Sequence, residues 1–244
     1  MIFSLLLSMC IMQQAATAEL QFAQAKVEKS RCIGLTGIAK SAQKRVAADA
    51  YAKVRLYWPD SHPYVEEACY RRAEILRSLG EDGAARGCFE EVITFAPVDS
   101  DFHIRALLEL GHLCRRNKLY KDSLMYYAKS AAHKKGSLRY QIMGQAWIAK
   151  LNLSIKEYPA AITAALKWRQ RSLSSVDYIR ASDVYMCALA QSHNWQKAET
   201  VLSALHKKMK RQANAPGKEG AAIATALARL KADKVITLMR QGGR

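Results

Sequence analysis

The sequence has few prolines, glycines and aromatic side chains for its length, and it is short of acidic residues. Its 244 residues include 5 prolines and 12 glycines, too few for a collagen-like or low-complexity chain. Half of the residues are hydrophobic, which excludes disorder as the main state. No apolar run reaches the roughly 20 residues that a membrane-spanning helix needs. The composition predicts a folded chain with a sizeable core.

The cysteines are few and widely spaced. The sequence has 6, with no C-x-x-C pair among them, which argues against a zinc ribbon and against a dense disulfide framework. We interpret most of them as small buried hydrophobic residues, with a single Cys69–Cys88 bridge as the alternative.

Motifs for catalysis are also missing. The sequence contains no Gly-rich phosphate loop, no H-E-x-x-H, no G-x-S-x-G and no EF-hand loop. Its histidines are scattered, and the adjacent pairs Glu66-Glu67 and Glu90-Glu91 point to different faces of a helix. We therefore expect no enzyme activity, no catalytic residue, no metal site and no cofactor.

Positive charge is concentrated in the second part of the chain. Residues 19–100 carry equal numbers of basic and acidic side chains, so residues 101–244 hold the whole net charge of +17. This asymmetry predicts an anionic partner for the basic part. A surface that only keeps the chain in solution is the alternative interpretation.

The N-terminus resembles a targeting signal. The apolar run Ile2–Met12 is followed by Ala16-x-Ala18, which predicts a signal peptide of residues 1–18 and cleavage before Glu19. The expected location is then the periplasm or the exterior. No Lys or Arg precedes the run, so a misplaced start or an ordinary buried helix remains open. Lipid attachment at Cys10, which would tether the chain to a membrane, is a further alternative.

The dominant pattern is an internal repeat of 37 to 38 residues. One column of small residues and a bulkier column four residues later keep this interval, as do two further columns. The four columns are Ala47, Ala85, Ser123, Ala161 and Ala198; Tyr51, Phe89, Tyr127, Ala165 and Leu202; Ala73, Gly111, Ala149 and Met186; and Tyr120, Tyr158 and Trp195. A period of this length with two helical patterns per unit predicts a helical solenoid. The small residues would let antiparallel helices approach closely.

These residues resemble the tetratricopeptide repeat (TPR) family. The resemblance covers about residues 28–212, in units near 28–61, 66–99, 104–137, 142–178 and 179–212, and the period exceeds the family's 34 residues. The first helix of unit 28–61 is poor, with Gly34 and Gly37 inside it. The resemblance implies an all-α, right-handed α-solenoid of about five antiparallel helix pairs over residues 19–212.

One junction is similar to a bacterial envelope subgroup of that family. Residues 57–64 read YWPDSHPY, like the junctions of outer-membrane assembly lipoproteins and of the Tol–Pal coordinator. This resemblance implies a non-enzymatic scaffold of the cell envelope that binds a protein or peptide partner.

The end of the chain is predicted to be a loop and one more helix. Residues 213–220 are interpreted as a linker and residues 221–244 as an amphipathic helix that caps the array. Its apolar face would carry Ile223, Leu227, Leu230 and Leu238. The alternative is a basic helix on an anionic membrane, with Arg229, Lys231, Lys234 and Arg240 towards phosphates.

The TPR resemblance also implies where a partner would bind. In such arrays the first helix of each unit lines a concave groove, which here would present Arg105, His112, Arg115, Arg116, Lys150 and Arg180. Guanidinium groups there could hold carboxylates or phosphates. A second candidate is an anion patch of Lys207, Lys208, Lys210 and Arg211. Both sets could instead be ordinary solvated helix faces.

Two functions therefore remain open. The first is a scaffold that docks a peptide or helix of an envelope protein in a basic groove. The second is an anion-binding module for membrane phospholipid or cell-wall polymer, or for nucleic acid if the chain is not secreted. No recognised motif supports nucleic acid, which is not expected. Binding to a polyanion should weaken steeply with salt, whereas docking with apolar anchors should persist.

Overall fold

The computed structural model describes residues 14–242, which form helices joined by turns, without a strand in that range. The apolar run Ile2–Met12 and Cys10 lie outside the described residues. The chain divides into two compact units, unit 1 (Met1–Leu113) and unit 2 (Cys114–Arg244). In chain order the helices are α1 (Ala18–Ser30), α2 (Gly37–Tyr57), α3 (Tyr64–Ser78), α4 (Asp82–Phe95), α5 (Asp101–Arg116), α6 (Tyr120–Ala131), α7 (Leu138–Ser154), α8 (Tyr158–Gln170), α9 (Ser175–Gln191), α10 (Trp195–Ala213), α11 (Lys218–Ala228) and α12 (Ala232–Gly242).

The repeat columns are packing positions. The small residues Ala47, Ala85, Ser123, Ala161 and Ala198 are all completely buried. Of the bulkier column, Tyr51, Phe89, Tyr127 and Ala165 are buried as well, while Leu202 is half-buried. Small side chains at these points let neighbouring helices come close, and the rings fill the space one turn away. The predicted all-α helical repeat is confirmed.

The turns between paired helices repeat as regularly as the helices do. Gly80, Lys118, Lys156 and His193 all have a positive φ, between 60° and 81°. At each turn the following residue donates its N–H to a carbonyl five positions back, as from Glu81 to Leu76 at 3.0 Å and from Leu119 to Cys114 at 2.9 Å. This is the Schellman arrangement, which satisfies the last carbonyl groups of a helix. Each of these turns thus requires a residue in the left-handed backbone conformation.

Unit 1 is built around aromatic side chains. Helix α2 packs against α1 and α3, and α3 packs against α4. The Phe22 ring lies 5.9 Å from the ring of Tyr51 and 5.8 Å from that of Tyr64, between centroids. Tyr70 meets Phe89 edge-on at 5.5 Å. These contacts join α1 to the first turn of α3 as well as to its partner α2.

The first repeat begins earlier than the sequence indicates. We predicted a poor helix with Gly34 and Gly37 inside it, whereas α1 ends at Ser30 and the two glycines lie after it, with φ of 80° and 54°. The prediction was wrong because Gly34 lies in the turn after α1 and Gly37 is the first residue of α2, and both have positive φ values that a continuous helix excludes. The first helix of the repeat is therefore α1, and its N-cap is Thr17, whose hydroxyl accepts the N–H of Leu20 at 3.2 Å.

Unit 2 continues the same pairing. Helix α7 packs against α6 and α8, and α9 packs against α8 and α10. Its core contains Trp168, Ile179, Met186, Leu205 and further buried side chains. Gly144 on α7 faces the backbone of α6 so closely that a Cβ would lie 2.8 Å from the carbonyl oxygen of Tyr127. Glycine is needed there because the helices leave no room for a side chain.

The C-terminal segment is two helices, not the single helix predicted over 221–244. Helix α11 ends at Ala228 and α12 begins at Ala232, and both pack against α9 and α10. Ile223 and Leu230 are buried and join the core of unit 2, whereas Leu238 is exposed. The helical segment is interrupted at Arg229–Lys231 for two reasons. The turn places Leu230 in the core, and the backbone N–H groups at the start of α12 hydrogen-bond to an acceptor side chain on α9, which is described below.

The cysteines of the described range are free thiols. Cys69 and Cys88 are buried and not bonded to each other, so the alternative of a Cys69–Cys88 bridge was wrong. Burial raises the pKa of the Cys69 thiol to about 11. Such a thiol is a poor nucleophile at neutral pH and behaves as a small apolar side chain.

The left-handed turns predict how substitutions change stability. Lys118→Gly and His193→Gly should each raise the free energy of unfolding by about 0.5–1 kcal/mol, because a side chain with a Cβ is disfavoured at positive φ. Gly80→Ala should lower it by about 1 kcal/mol for the same reason. Urea unfolding of the full chain measures these changes. The control Lys207→Gly, in the middle of α10, should destabilise by about 1 kcal/mol; stabilisation there would contradict the turn argument.

Candidate partner-binding surface

Arg105, the first predicted groove residue, is part of the packing of unit 1. Its guanidinium carbon lies 4.4 Å from the ring centroid of Tyr70 and 5.3 Å from that of Phe102. Its Nη2 is 4.0 Å from a carboxylate oxygen of Glu74, and that residue also accepts from Arg71 at 2.9 Å. The side chain is 23% exposed. Arg105 is therefore held within unit 1 by cation–π contacts with the two rings and by its ionic contact with Glu74.

The other predicted residues of α5 differ in their exposure. His112, in unit 1, and Arg115, in unit 2, are half-buried, while Arg116 is exposed at the end of the helix. Arg115 places its guanidinium carbon 5.0 Å from the ring centroid of Trp147. Arg115 and Arg116 are adjacent in the helix and so do not share a face. They are not a single anion clamp.

Trp147 brings two of the predicted cations together. Its ring lies 5.0 Å from Arg115 and 4.9 Å from the ammonium of Lys150, and it stacks on Tyr127 with the centroids 6.0 Å apart. Lys150 is also 5.2 Å from the ring of Trp168. An indole ring attracts a cation through its negative face. The rings thus fix the ammonium of Lys150 at the surface of unit 2.

Lys150 belongs to a group of close positive charges. Its pKa is lowered, first because surrounding protein atoms displace water from the ammonium, and then because Arg180 and Lys231 add positive charge, while Asp177 acts in the opposite direction. The structure therefore brings together the predicted residues Lys150 and Arg180, which lie on different helices, and adds Lys231 from the turn before α12.

Arg180 also borders a cleft between α9 and α11. The cleft has a volume of about 540 Å³, within the range of ligand pockets, and its lining includes Arg180, Lys218 and Arg229 around apolar side chains such as Ile179, Ala222 and Leu230. We call the five cations Lys150, Arg180, Lys218, Arg229 and Lys231 the cationic face. Within residues 14–242 none of these five forms a salt bridge.

Two of the carboxylates beside the cationic face, Asp177 and Asp183, accept from neutral donors. Both oxygens of Asp177 accept from the indole Nε1 of Trp168 at 3.1 Å. Asp183 accepts the backbone N–H groups of Lys231 at 2.8 Å and of Ala232 at 2.9 Å. Asp183 thereby caps α12 from a position 49 residues earlier in the chain. The two aspartates serve packing and capping, and the positive charge around them stays in excess.

The predicted anion patch is divided between two directions. Lys207, Lys208, Lys210 and Arg211 are all exposed on α10. Lys208 turns to Tyr178, with its ammonium 4.1 Å from the ring centroid, a ring that Arg169 also contacts at 4.8 Å. Lys207 and Lys210 instead border a shallow depression with Leu227 and Asp233. Lys207, Lys210 and Arg211 share one helix face because they are three and four residues apart.

Sequence reasoning missed three residues of this surface. Trp147 falls outside the repeat columns and was therefore not singled out. The spacing W-x-x-K, which puts Trp147 and Lys150 on one helix face, is the signal that could have found it. Asp183 gave no signal, because the N–H groups that it caps lie 48 and 49 residues later in the chain. Lys218 was assigned to a linker, and nothing in the sequence brings it near Arg180, 38 positions earlier.

Residues 14–242 offer neither a metal site nor a membrane-spanning helix. No group of three or more His, Cys, Asp or Glu side chains there is arranged to hold a metal ion. None of the helices in that range combines the length and the apolar character needed to cross a bilayer.

The arrangement of helices is similar to solved TPR-like repeat proteins. A kinesin light chain of Podosopora anserina with nearly identical TPR-like repeats, in two structures, matches with a TM-score of 0.59 in both, at 14% and 12% identity, over 82% and 81% of this chain and 100% and 99% of that chain. BtubC (BKLC) from P. vanneervenii matches with a TM-score of 0.57 at 12% identity, over 84% of this chain and 95% of that chain. The fold is TPR-like.

At this level of identity the likeness to the TPR-like proteins concerns the fold alone. No protein-family model matches the chain, and no curated protein matches it. The function has to be argued from the surface that this TPR-like fold presents.

The cap on α12 predicts a difference between two substitutions. Asp183→Ala should lower the free energy of unfolding by about 1–2 kcal/mol, because the N–H groups of Lys231 and Ala232 lose their acceptor. Asp183→Asn keeps an acceptor oxygen and should cost less than about 0.5 kcal/mol. Urea unfolding and hydrogen exchange of the α12 amides measure the effect; equal losses in both variants would contradict the capping role.

The same carboxyl predicts a pH dependence. Burial raises the pKa of Asp183 above its usual value of 3.8, so the folded state binds the proton more tightly than the unfolded state. The contribution of Asp183 to stability is therefore greatest below pH 3.8 and falls as pH rises through the folded pKa. Comparison of the native chain with Asp183→Asn across this range isolates the contribution, which the asparagine lacks.

Proposed function

We propose that the chain is a non-enzymatic scaffold of the bacterial cell envelope that binds a peptide or helix of a partner protein. The observation that carries the proposal is the cationic face of unit 2, whose charges have no carboxylate partner within residues 14–242. Indole rings hold the ammonium of Lys150, and cations without a carboxylate partner attract an external anion. A TPR-like fold supports this role because paired helices present long side-chain surfaces.

The partner is proposed to engage α7 and α9, the first helices of their pairs. Lys150 lies on α7 and Arg180 on α9, and electrostatic repulsion between them contributes to the lowered pKa of Lys150. Arg115 adds a third cation, with its guanidinium carbon 5.0 Å from the ring centroid of Trp147. Arg105, by contrast, is occupied by Tyr70, Phe102 and Glu74, so we assign it to the stability of unit 1.

The envelope location rests on the N-terminal sequence and predicts a processed chain. Protein purified from cells should begin at Glu19, which mass spectrometry of the N-terminal peptide reads directly. Cleavage there would remove Thr17, the N-cap of α1, at a cost of about 1 kcal/mol. A lipid-modified Cys10 would support the envelope by another route, and an intact Met1 would contradict it.

The proposed binding is tested by affinity capture from native extract with matched variants. The double variant Lys150→Glu with Arg180→Glu should lose a protein partner that the unchanged chain retains, because it places negative charge where the partner's anionic groups would bind. The expected loss is about tenfold or more in affinity. Quantitative mass spectrometry of the captured proteins, at low and at high salt, measures it.

The control for the capture experiment is Lys121→Glu with Lys197→Glu. Both lysines are exposed, on α6 and α10, and the net charge changes by the same amount. The scaffold is contradicted if both double variants lose the partner equally, or if nothing but lipid or polymer is bound and leaves at high salt. The second result would favour the anion-binding module and Lys207, Lys210 and Arg211.

A further inference from the structure

The cleft between α9 and α11 combines an apolar floor with a basic rim. Ala221 and Ala222 are exposed in its lining, and Val176 and Ala226 are half-buried. These four accessible apolar side chains form the floor, while Ile179 and Leu230, which also line the cleft, are buried in the core of unit 2. Arg180, Lys218 and Arg229 line it and are exposed. A ligand that fits must offer apolar groups to the floor and negative charge to the rim.

The rim is electrostatically unsatisfied in the described part of the chain. Arg180, Lys218 and Arg229 form no salt bridge there, and the carboxylate that lines the cleft, Asp183, is committed to the backbone of Lys231 and Ala232. Like charges in one place repel each other, and an opposite charge from outside relieves this repulsion. The lowered pKa of Lys150, to which Arg180 and Lys231 contribute, agrees with that excess.

The shape and lining favour a peptide over other anions. A phosphate or a polyanion would satisfy the rim but would leave the apolar floor in contact with water. Among residues 14–242 no aromatic ring lines the cleft, so bases of nucleic acid would find no ring there to stack on. A peptide in which acidic and apolar side chains are interspersed satisfies both parts.

We propose that the cleft between α9 and α11 binds an acidic amphipathic peptide segment, with its carboxylates on Arg180, Lys218 and Arg229 and its apolar side chains on the floor. The inference rests on the proposed scaffold function and names the chemistry of the partner. It assigns to α11 a share of the binding surface in addition to its packing on α9 and α10.

The test selects short random peptides displayed on phage against the full chain. The selected sequences should be enriched in Asp and Glu interspersed with Leu, Ile and Val. Their affinity, measured by fluorescence anisotropy of the synthetic peptides, should fall about tenfold or more in the triple variant Arg180→Glu, Lys218→Glu and Arg229→Glu. The control Lys121→Glu with Lys197→Glu should leave it unchanged within a factor of about two.

A charge-swapped peptide separates direct contact from misfolding. Replacing the acidic residues of a selected peptide by Lys should abolish binding to the unchanged chain and restore it to the triple variant. If affinity is lost without such rescue and the circular dichroism spectrum is altered, the binding measurement is repeated with the double variant Arg180→Gln and Lys218→Gln. These substitutions remove the charge without reversing it. Undiminished binding by that variant overturns the proposal.

Three further outcomes overturn the inference and leave the scaffold function separately testable. Selected peptides without acidic residues would show that the rim is not used. Acidic peptides that bind the triple variant unchanged would place the site elsewhere. If only anionic phosphatidylglycerol vesicles or single-stranded RNA bind through these three cations, the occupant is not a peptide. In each case a partner captured through Lys150 would still support the scaffold.

Discussion

The fold depends on close contact between helices at positions that carry almost no side chain. Ala47, Ala85, Ser123, Ala161 and Ala198 are completely buried, and each stands where a neighbouring helix passes. Neither helix of a pair can bury its apolar face alone, so the rings and aliphatic side chains around these points contribute only when the helices are in contact. A larger residue in this column would separate the helices and expose that area.

Charge is used differently in the two units. In unit 1 two arginines of α3 have acidic partners: Arg71 binds Glu67 and Glu74, and Arg77 binds Glu109. In unit 2 the carboxylates of α9 accept from an indole and from backbone N–H groups, and the five cations of the cationic face have no such partner in the described residues. Paired charges add specificity to packing, whereas unpaired ones attract an external anion. This contrast is why the proposed binding surface lies in unit 2.

The predictions from sequence succeeded where the signal is local and repeated. The columns of small and bulky residues predicted the helix pairs, because packing at a fixed interval leaves a periodic mark in the chain. They failed at Gly34 and Gly37, which lie in the turn between α1 and α2 and at the first residue of α2, although the pattern alone left both inside one helix. They also failed over 221–244, because the break after Ala228 depends on Asp183 on α9, 48 residues before Lys231. Among the predicted site residues, Arg105 has the spacing expected of a groove residue, but its guanidinium packs on the rings of Tyr70 and Phe102.

The class of fold, the length of the repeat and the place of the excess positive charge all follow from the amino-acid sequence alone. These are properties of composition and periodicity, which do not require contacts between distant residues. Which cations are paired follows only from the tertiary structure, since pairing depends on the distance between side chains on different helices. The tertiary structure brought Lys150, Arg180 and Lys231 together and placed Lys218 and Arg229 across the cleft from α9. No pattern along the sequence encodes these contacts. Burial, and the distance between residues that are far apart in the sequence, are fixed only when the helices pack.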